Sequence, residues 1–281
     1  MKNRTLLISV IVVAVLAACF LYLKNKEERP RLRYAVKKRT ISSADKKRLP
    51  AVIPVGAAKR TREPRIAIVM DDFGYNKNNL EIFFTIKEPI TLSVLPGLRY
   101  SGEVAREALS HGREVILHLP LEAHRKDVKE EIDTIRSGMK EGEITERLKR
   151  EISSVPGIDG VSNHMGSKAT EDKELMTGIF KYLKAHNLYF FDSLTSEESI
   201  CGEAARSVGI PYARRDIFLD NINDPSAIEQ ELRVLKKMAL KRGRAIAVCH
   251  DRKNTVTVLA KVLPEMTKEG IKFVRLSELL R

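Results

Sequence analysis

The chain has 281 residues, of which 43% are hydrophobic and 31% are charged, so it can bury the core of a sizeable domain. The net charge of +13 lies near the amino end: residues 24–65 hold 15 basic and four acidic side chains, whereas residues 66–281 hold 33 of each. A neutral fold argues against nucleic-acid binding, which usually places basic charge on the folded domain. The three cysteines, Cys19, Cys201 and Cys249, argue against a disulfide framework or a zinc ribbon.

The first predicted element is an apolar run over residues 5–23, between Arg4 and Lys24. About 18 or more consecutive apolar residues can span a bilayer as a helix. We therefore expect residues 1–23 to form a membrane anchor, with a cleaved signal peptide as one alternative. A lipoprotein signal is the other, because Leu16–Cys19 resembles a lipobox that would lipidate Cys19. The residues after Cys19 stay apolar, which favours the uncut anchor.

Residues 24–64 are predicted to be a disordered linker, because they combine several prolines and many basic side chains with no helical or strand period. Such a basic segment is attracted to anionic lipid or polymer. The positive-inside rule alone would keep the following domain in the cytoplasm. The substrate class inferred below favours export instead. We expect a bacterial inner-membrane anchor with the domain in the periplasm, and the oligomeric state stays open.

Residues 65–281 alternate short apolar runs with longer amphipathic segments, a pattern typical of an α/β domain. Continuous apolar runs indicate parallel strands that helices cover. We expect seven to eight mainly parallel strands in a single deformed β/α barrel, in preference to a long doubly wound sheet. The predicted strands are 66–70, 90–95, 114–119, 160–162, 188–192, 211–213, 245–249 and 271–275. The predicted helices run from Thr170 towards His186, from the Asp224–Pro225 cap to about Arg242, and from a cap at Asn254 to near Gly270.

Polar side chains follow several of these strands, and parallel strands bring their carboxyl ends to one edge. Asp72, His118 and His164 offer one carboxylate and two imidazoles, the usual ligands of a catalytic divalent metal. Asp71 is the predicted general base, and His250 is the predicted acid. Residues predicted to contact substrate or support the site are Asn163, Ser167, Glu122, Asp192, Ser193, Asp216 and Asp220, of which either Asp216 or Asp220 would orient His250.

Three details qualify this site. Neighbouring residues of a regular strand point to opposite faces, so Asp71 and Asp72 can share a site only where the strand ends, and Gly74 favours such a turn. His124, six residues after His118, is a rival ligand, although a loop role suits it better. Cys249 is expected to point away from the site by strand alternation, which argues against a thiol protease.

Seven short segments of the domain carry a resemblance to a known family. They are IVMDDFG (68–74), LSVLPG (92–97), ILHLPLE (116–122), GVSNHMGSKAT (160–170), FFDSLTS (190–196), IFLDN (217–221) and AVCH (247–250). Together they resemble the divergent polysaccharide deacetylases, a branch of the carbohydrate deacetylase superfamily with a deformed βα-barrel. The resemblance covers about residues 65–281, and it implies an Asp-His-His site for a divalent metal, most often zinc, on Asp72, His118 and His164. Two features depart from the family: the last histidine is followed by Asp251 in place of Pro, and the loop over residues 123–139 is more charged.

The resemblance implies a metal-dependent hydrolase that removes acetyl groups from an N- or O-acetylated polysaccharide of the cell envelope. Asp251 and the altered loop motivate an alternative, a non-catalytic envelope module that keeps the fold and binds glycan or a protein. A metal-dependent phosphoesterase is a weaker third hypothesis, because no glycine-rich phosphate-binding loop is evident.

Overall fold

A computed structural model describes residues 63–127 and 129–280, in which strands and helices alternate. The anchor predicted at residues 1–23 lies outside the described residues, as does the predicted linker apart from its last two positions. Among the residues that the structure does describe, none of the helices is both long and apolar enough to cross a membrane.

The described residues form one sheet of nine strands in which each strand pairing is parallel. The strands are β1 (Arg65–Phe73), β2 (Thr91–Val94), β3 (Val115–Leu121), β4 (Gly160–Met165), β5 (Tyr189–Asp192), β6 (Tyr212–Arg214), β7 (Ile217–Phe218), β8 (Arg244–His250) and β9 (Lys272–Phe273). Hydrogen-bonded neighbours follow the order β6-β5-β4-β3-β2-β1-β8-β7, and β9 pairs with β1. Each of the predicted apolar runs overlaps one of these strands.

The two ends of this path lie next to each other in the chain, because only Arg215 and Asp216 separate β6 from β7. The backbone N–H of Arg215 donates to Asp192 O in β5 at 3.0 Å, and that of Asp216 donates to Ile246 O in β8 at 2.9 Å. One short segment therefore reaches both flanks, and the sheet curls. The predicted α/β class with a parallel sheet is confirmed. The predicted deformed barrel is an eight-strand half-barrel with β9 added. The path of paired strands ends at β6 and at β7, a strand of two residues that was absent from the prediction.

Seven α-helices connect the described strands and cover the outside of the sheet. They are α1 (Leu80–Thr85), α2 (Ser101–Ser110), α3 (Glu141–Ser154), α4 (Lys173–Ala185), α5 (Cys201–Val208), α6 (Pro225–Arg242) and α7 (Lys253–Lys268). Asp224 caps α6 as predicted, since its carboxylate accepts from the N–H groups of Ser226 and Ala227. The predicted start of α4 at Thr170 was wrong, because residues 169–171 form a 3-10 turn and Asp172 is the cap. The predicted cap at Asn254 was also wrong, because Asn254 lies inside α7.

Buried apolar residues lie on both faces of the sheet. The larger cluster joins the outer face to the helices and includes Ile66, Ile68 and Met70 of β1. The smaller cluster fills the inside of the curl and includes Ala67 and Val69 of the same strand, with no residue from α1–α7. This alternation follows from the strand period of two residues, and it decides which side chains can meet inside the curl.

Candidate active site

Three of the predicted site residues continue the inner face of the sheet beyond its apolar cluster. Asp71 in β1, His118 in β3 and His250 in β8 each follow a buried apolar residue of the same strand by two positions, so they point to the same side. The apolar residues that precede them are Val69, Ile116 and Val248. The inside of the curl is thus apolar along most of its length and polar at the carboxyl ends of the strands.

Asp72 joins this group because β1 loses its regular geometry at its end. The pairing of β1 with β2 shifts register between Met70 and Phe73, and Asp72 has a φ of 68°. A positive φ is uncommon for a residue with a side chain, although aspartate adopts it more readily than most. This left-handed turn breaks strand alternation, so Asp71 and Asp72 both approach His118, as the sequence required.

Asp72, His118 and His164 form a compact group in which one ligand atom from each lies within 4.8 Å of the others. The Oδ1 atom of Asp72 is 3.5 Å from His118 Nε2 and 3.3 Å from His164 Nδ1. The two imidazole rings meet edge to face at 4.9 Å. The structure therefore brings together the three residues that the sequence predicts as metal ligands, from β1, β3 and β4.

The pKa of the Asp72 carboxyl lies far below its ordinary value. Burial alone would raise this pKa, but hydrogen bonds from His118 and His164 and their positive charge outweigh burial. Asp72 is therefore an anion at neutral pH. An ionised carboxylate between two imidazoles suits a divalent cation, which binds the deprotonated forms of these side chains.

Asp71 lies beside this group but differs from Asp72 in its environment. It is buried, its Oδ1 atom has no hydrogen-bond partner, and this atom is 3.7 Å from His118 Nδ1. Burial raises the pKa of Asp71, and the positive charge of His118 opposes this effect. Two adjacent carboxyls with opposite pKa shifts suit separate roles, one as a permanent anion and one as a group that exchanges a proton.

His250 lies on β8, the strand paired with β1, in register with Asp71. Its Nδ1 atom is 2.8 Å from Asp220 Oδ1, and its backbone N–H donates to Asp220 Oδ2 at 2.9 Å. Asp220 is fully buried and also accepts from Thr255 Oγ1 at 2.8 Å. Asp220, rather than Asp216, is therefore the aspartate that orients His250, and the second ring nitrogen stays available.

Asp216 was wrongly predicted to belong to the site. Its carboxylate accepts from Arg242 Nη1 at 3.1 Å and from the Ile246 N–H at 2.9 Å. Ile246 lies four residues before His250 along β8, and a strand rises about 3.3 Å per residue. Asp216 therefore lies near the amino half of β8, away from the carboxyl edge.

Several other predicted site residues hold the loops of this edge instead of turning towards the histidines. Asn163 Oδ1 accepts from the Ser193 N–H at 2.8 Å, and Asn163 Nδ2 donates to Met165 O at 2.7 Å. Asp192 accepts from the Leu194 N–H, Ser199 and Tyr212. Met165 and Leu194 both have positive φ, at 53° and 51°, so these buried hydrogen bonds support strained strand ends.

Glu122 and Ser167 fasten the charged loop that follows β3. Glu122 accepts from the Ser137 N–H at 3.1 Å and from Lys168 Nζ at 2.9 Å, and Ser167 accepts from the His124 N–H at 3.0 Å. His124 is exposed and hydrogen-bonds Glu171 at 2.8 Å. The rival ligand therefore lies outside the group, and His164 is the second histidine.

Sequence reasoning missed two serines that lie behind the group. Ser162 Oγ is 2.8 Å from His118 Nδ1 and 2.7 Å from Ser93 Oγ, and both serines are fully buried. For Ser162 the available signal was its position two residues before His164, whereas Ser93 has no histidine near it in the sequence.

Asp251, the departure from the family pattern, accepts from Asn79 Nδ2 at 2.8 Å, so it is held outside the group of Asp72, His118 and His164.

The fold and the site together define an α/β half-barrel protein with an Asp-His-His group of metal-binding type at the carboxyl edge of its parallel strands. A family model described as divergent polysaccharide deacetylase matches residues 68–280, and the chain belongs to this family.

Two curated relatives extend over most of the domain. The chain is 32% identical over 219 residues to an uncharacterized protein of Haemophilus influenzae, covering 78% of each chain. It is 32% identical over 216 residues to the uncharacterized protein YibQ of Escherichia coli, covering 77% of this chain and 67% of the relative. A solved structure of an uncharacterized Agrobacterium tumefaciens protein has the same fold, with a TM-score of 0.74, 24% identity, and coverage of 78% of this chain and 89% of that chain.

Proposed function

We propose that this protein is a metal-dependent hydrolase that removes acetyl groups from an N- or O-acetylated polysaccharide of the bacterial cell envelope. The observation that supports the proposal is the Asp-His-His group, which lies beside the buried carboxyl of Asp71, itself in register with His250 of the His250–Asp220 pair. Family membership supports the carbohydrate substrate. The apolar run at residues 5–23 supports an envelope location.

The residues of the group fit a divalent metal. One carboxylate and two imidazoles are the donor set of a catalytic site that keeps a position open, and zinc is the metal we favour. Asp72, His118 and His164 would hold the ion. When bound, it supplies Lewis-acid polarisation of the scissile carbonyl and promotes deprotonation of water.

Asp71 is the proposed general base. Its carboxyl is buried 3.7 Å from His118, and burial raises its pKa towards the range in which a carboxylate removes a proton from water efficiently. The Oδ1 atom has no partner among the described residues and is free to accept that proton.

His250 is the proposed general acid. Asp220 accepts a hydrogen bond at His250 Nδ1, which directs the other ring nitrogen away from Asp220. The charge of Asp220 keeps the imidazole protonated to higher pH, so His250 donates a proton to the departing amine or alcohol. Phe218 stacks on the ring with 9° between the two planes and fixes its orientation.

Turnover of acetylated oligosaccharides by the full chain tests this proposal. We expect release of acetate from N-acetylated chito-oligomers or an O-acetylated glycan, and Asp71→Asn should lower kcat by about 10²–10⁴-fold. Asp127→Asn changes an exposed aspartate and serves as the matched control. Full turnover in Asp71→Asn would contradict the mechanism. Glycan binding without acetate release by the metal-loaded wild type would favour the non-catalytic module.

A further inference from the structure

We infer that two buried serines, Ser93 and Ser162, act as positioning residues that hold His118 with its Nε2 lone pair towards the metal. The inference rests on the proposed metal site and assigns to it a second layer of side chains. Ser93 lies on β2 and Ser162 on β4, the two strands that flank β3 and His118.

The two serines and His118 form a continuous series of hydrogen bonds. His118 Nδ1 is 2.8 Å from Ser162 Oγ, and Ser162 Oγ is 2.7 Å from Ser93 Oγ. These hydrogen bonds therefore join three neighbouring strands, β2, β3 and β4, around the metal-ligand histidine.

The number of protons in this series fixes its direction. Each hydroxyl has one proton to donate. Ser162 Oγ has two acceptors for this proton, Leu117 O at 3.5 Å and Ser93 Oγ at 2.7 Å, so it accepts the Nδ1 proton of His118. His118 then has a free lone pair on Nε2, the ring nitrogen that lies 3.5 Å from Asp72.

Burial of the two serines makes their hydrogen bonds to each other and to His118 necessary for stability. Ser93 and Ser162 are both 0% exposed, and their neighbours along the strands are buried apolar residues such as Leu92 and Val161. A buried hydroxyl without a partner is destabilising, so each serine needs its neighbours in the series. Both hydroxyls have a clear role if they orient His118, because hydrogen bonds to ligand histidines raise metal affinity.

The test is a competition titration of the metal-free full chain with Zn²⁺ and a chromophoric chelator. We expect Ser162→Ala to lower zinc affinity about 10–100-fold and Ser93→Ala to lower it in the same direction. Because Ser93 acts on His118 only through Ser162, the double variant should lose no more zinc affinity than Ser162→Ala alone. Thr91→Val is the matched control: it removes a buried hydroxyl from the same face of β2, two residues before Ser93, where the partner is Glu114.

A second readout separates positioning from general loosening of the fold. In the zinc-loaded wild type and in Thr91→Val, the Nδ1–H proton of His118 should give a slowly exchanging NMR resonance, which Ser162→Ala should lose. Wild-type affinity in both serine variants, or additive losses, would overturn this inference while leaving the metal site intact. Failure of the wild type itself to bind Zn²⁺ would overturn both this inference and the proposed function.

Discussion

His250 and the buried Asp220 form a partly buried pair in which each side chain changes the pKa of the other. Burial lowers the pKa of His250, but the hydrogen bond and charge of Asp220 outweigh burial and raise it above its ordinary value. Burial raises the pKa of Asp220, and His250 together with Thr255 outweighs this and lowers it. A protonated imidazole beside an ionised carboxylate is therefore the favoured state near neutral pH.

This pair predicts the pH dependence of turnover. An acid must be protonated to act, so kcat/KM should fall as pH rises through the pKa of His250. Asp220→Asn removes the charge that raises this pKa, and the falling limb should move to lower pH. Asp216→Asn, which changes an aspartate far from His250, should leave the limb in place. An unchanged limb in Asp220→Asn would contradict the assignment of His250 as the acid.

The choice between Asp216 and Asp220 shows what the sequence could not resolve. Both aspartates follow a weakly apolar stretch, and the intervening strand is only two residues long, Ile217–Phe218. A strand of this length has no recognisable period. Asp72, His118 and His250 were predictable because an apolar run precedes each of them. His164 follows only the short run Gly160–Ser162, and the polar residues around it were the signal.

At the level of elements, strained strand ends build the site. Among the described residues, four other than glycine have positive φ, and three of them, Asp72, Met165 and Leu194, lie at or just after the carboxyl ends of β1, β4 and β5. Strain of this kind persists only where surrounding contacts enforce it. The sequence indicated such a turn after β1 through Gly74, but it did not reveal that Asn163 and Asp192 support these turns through hydrogen bonds to the backbone.

Gly74 should be sensitive to substitution for this reason. It has a φ of 121°, and a Cβ there would lie 3.0 Å from Ser101 Oγ and 3.3 Å from Leu95 O. We expect Gly74→Ala to lower the free energy of unfolding by about 1–3 kcal/mol and to weaken zinc binding, since the turn sets the position of Asp72. Thermal unfolding and zinc titration measure the two effects.

Gly112→Ala is the matched control for this prediction. Gly112 also has a positive φ, of 69°, but a Cβ there meets nothing within 4 Å. It should lower stability by about 1 kcal/mol without changing zinc affinity. Equal zinc affinities in the two variants would contradict the role assigned to the turn after β1.

At the scale of the whole molecule, the site depends on the curl of the sheet. Its residues come from β1, β3, β4 and β8, and the bridging segment Tyr212–Phe218 joins the flanks of β5 and β8. The parallel order of strands was predictable from continuous apolar runs separated by helices. The half-barrel form was not predictable, because it depends on backbone hydrogen bonds at Arg215 and Asp216 that leave no pattern in the side chains.

Metal analysis of the purified full chain tests the central claim most directly, with His164→Ala beside the wild type and His124→Ala as the matched control outside the group. We expect about one divalent ion per wild-type or His124→Ala chain after reconstitution with Zn²⁺, and none in His164→Ala. The bound metal should also raise the stability of the wild type, by about 2.7 kcal/mol at a free concentration 100 times Kd. Absence of metal from all three proteins, or equal metal content in His164→Ala and the wild type, would contradict the assignment of Asp72, His118 and His164 as a metal site.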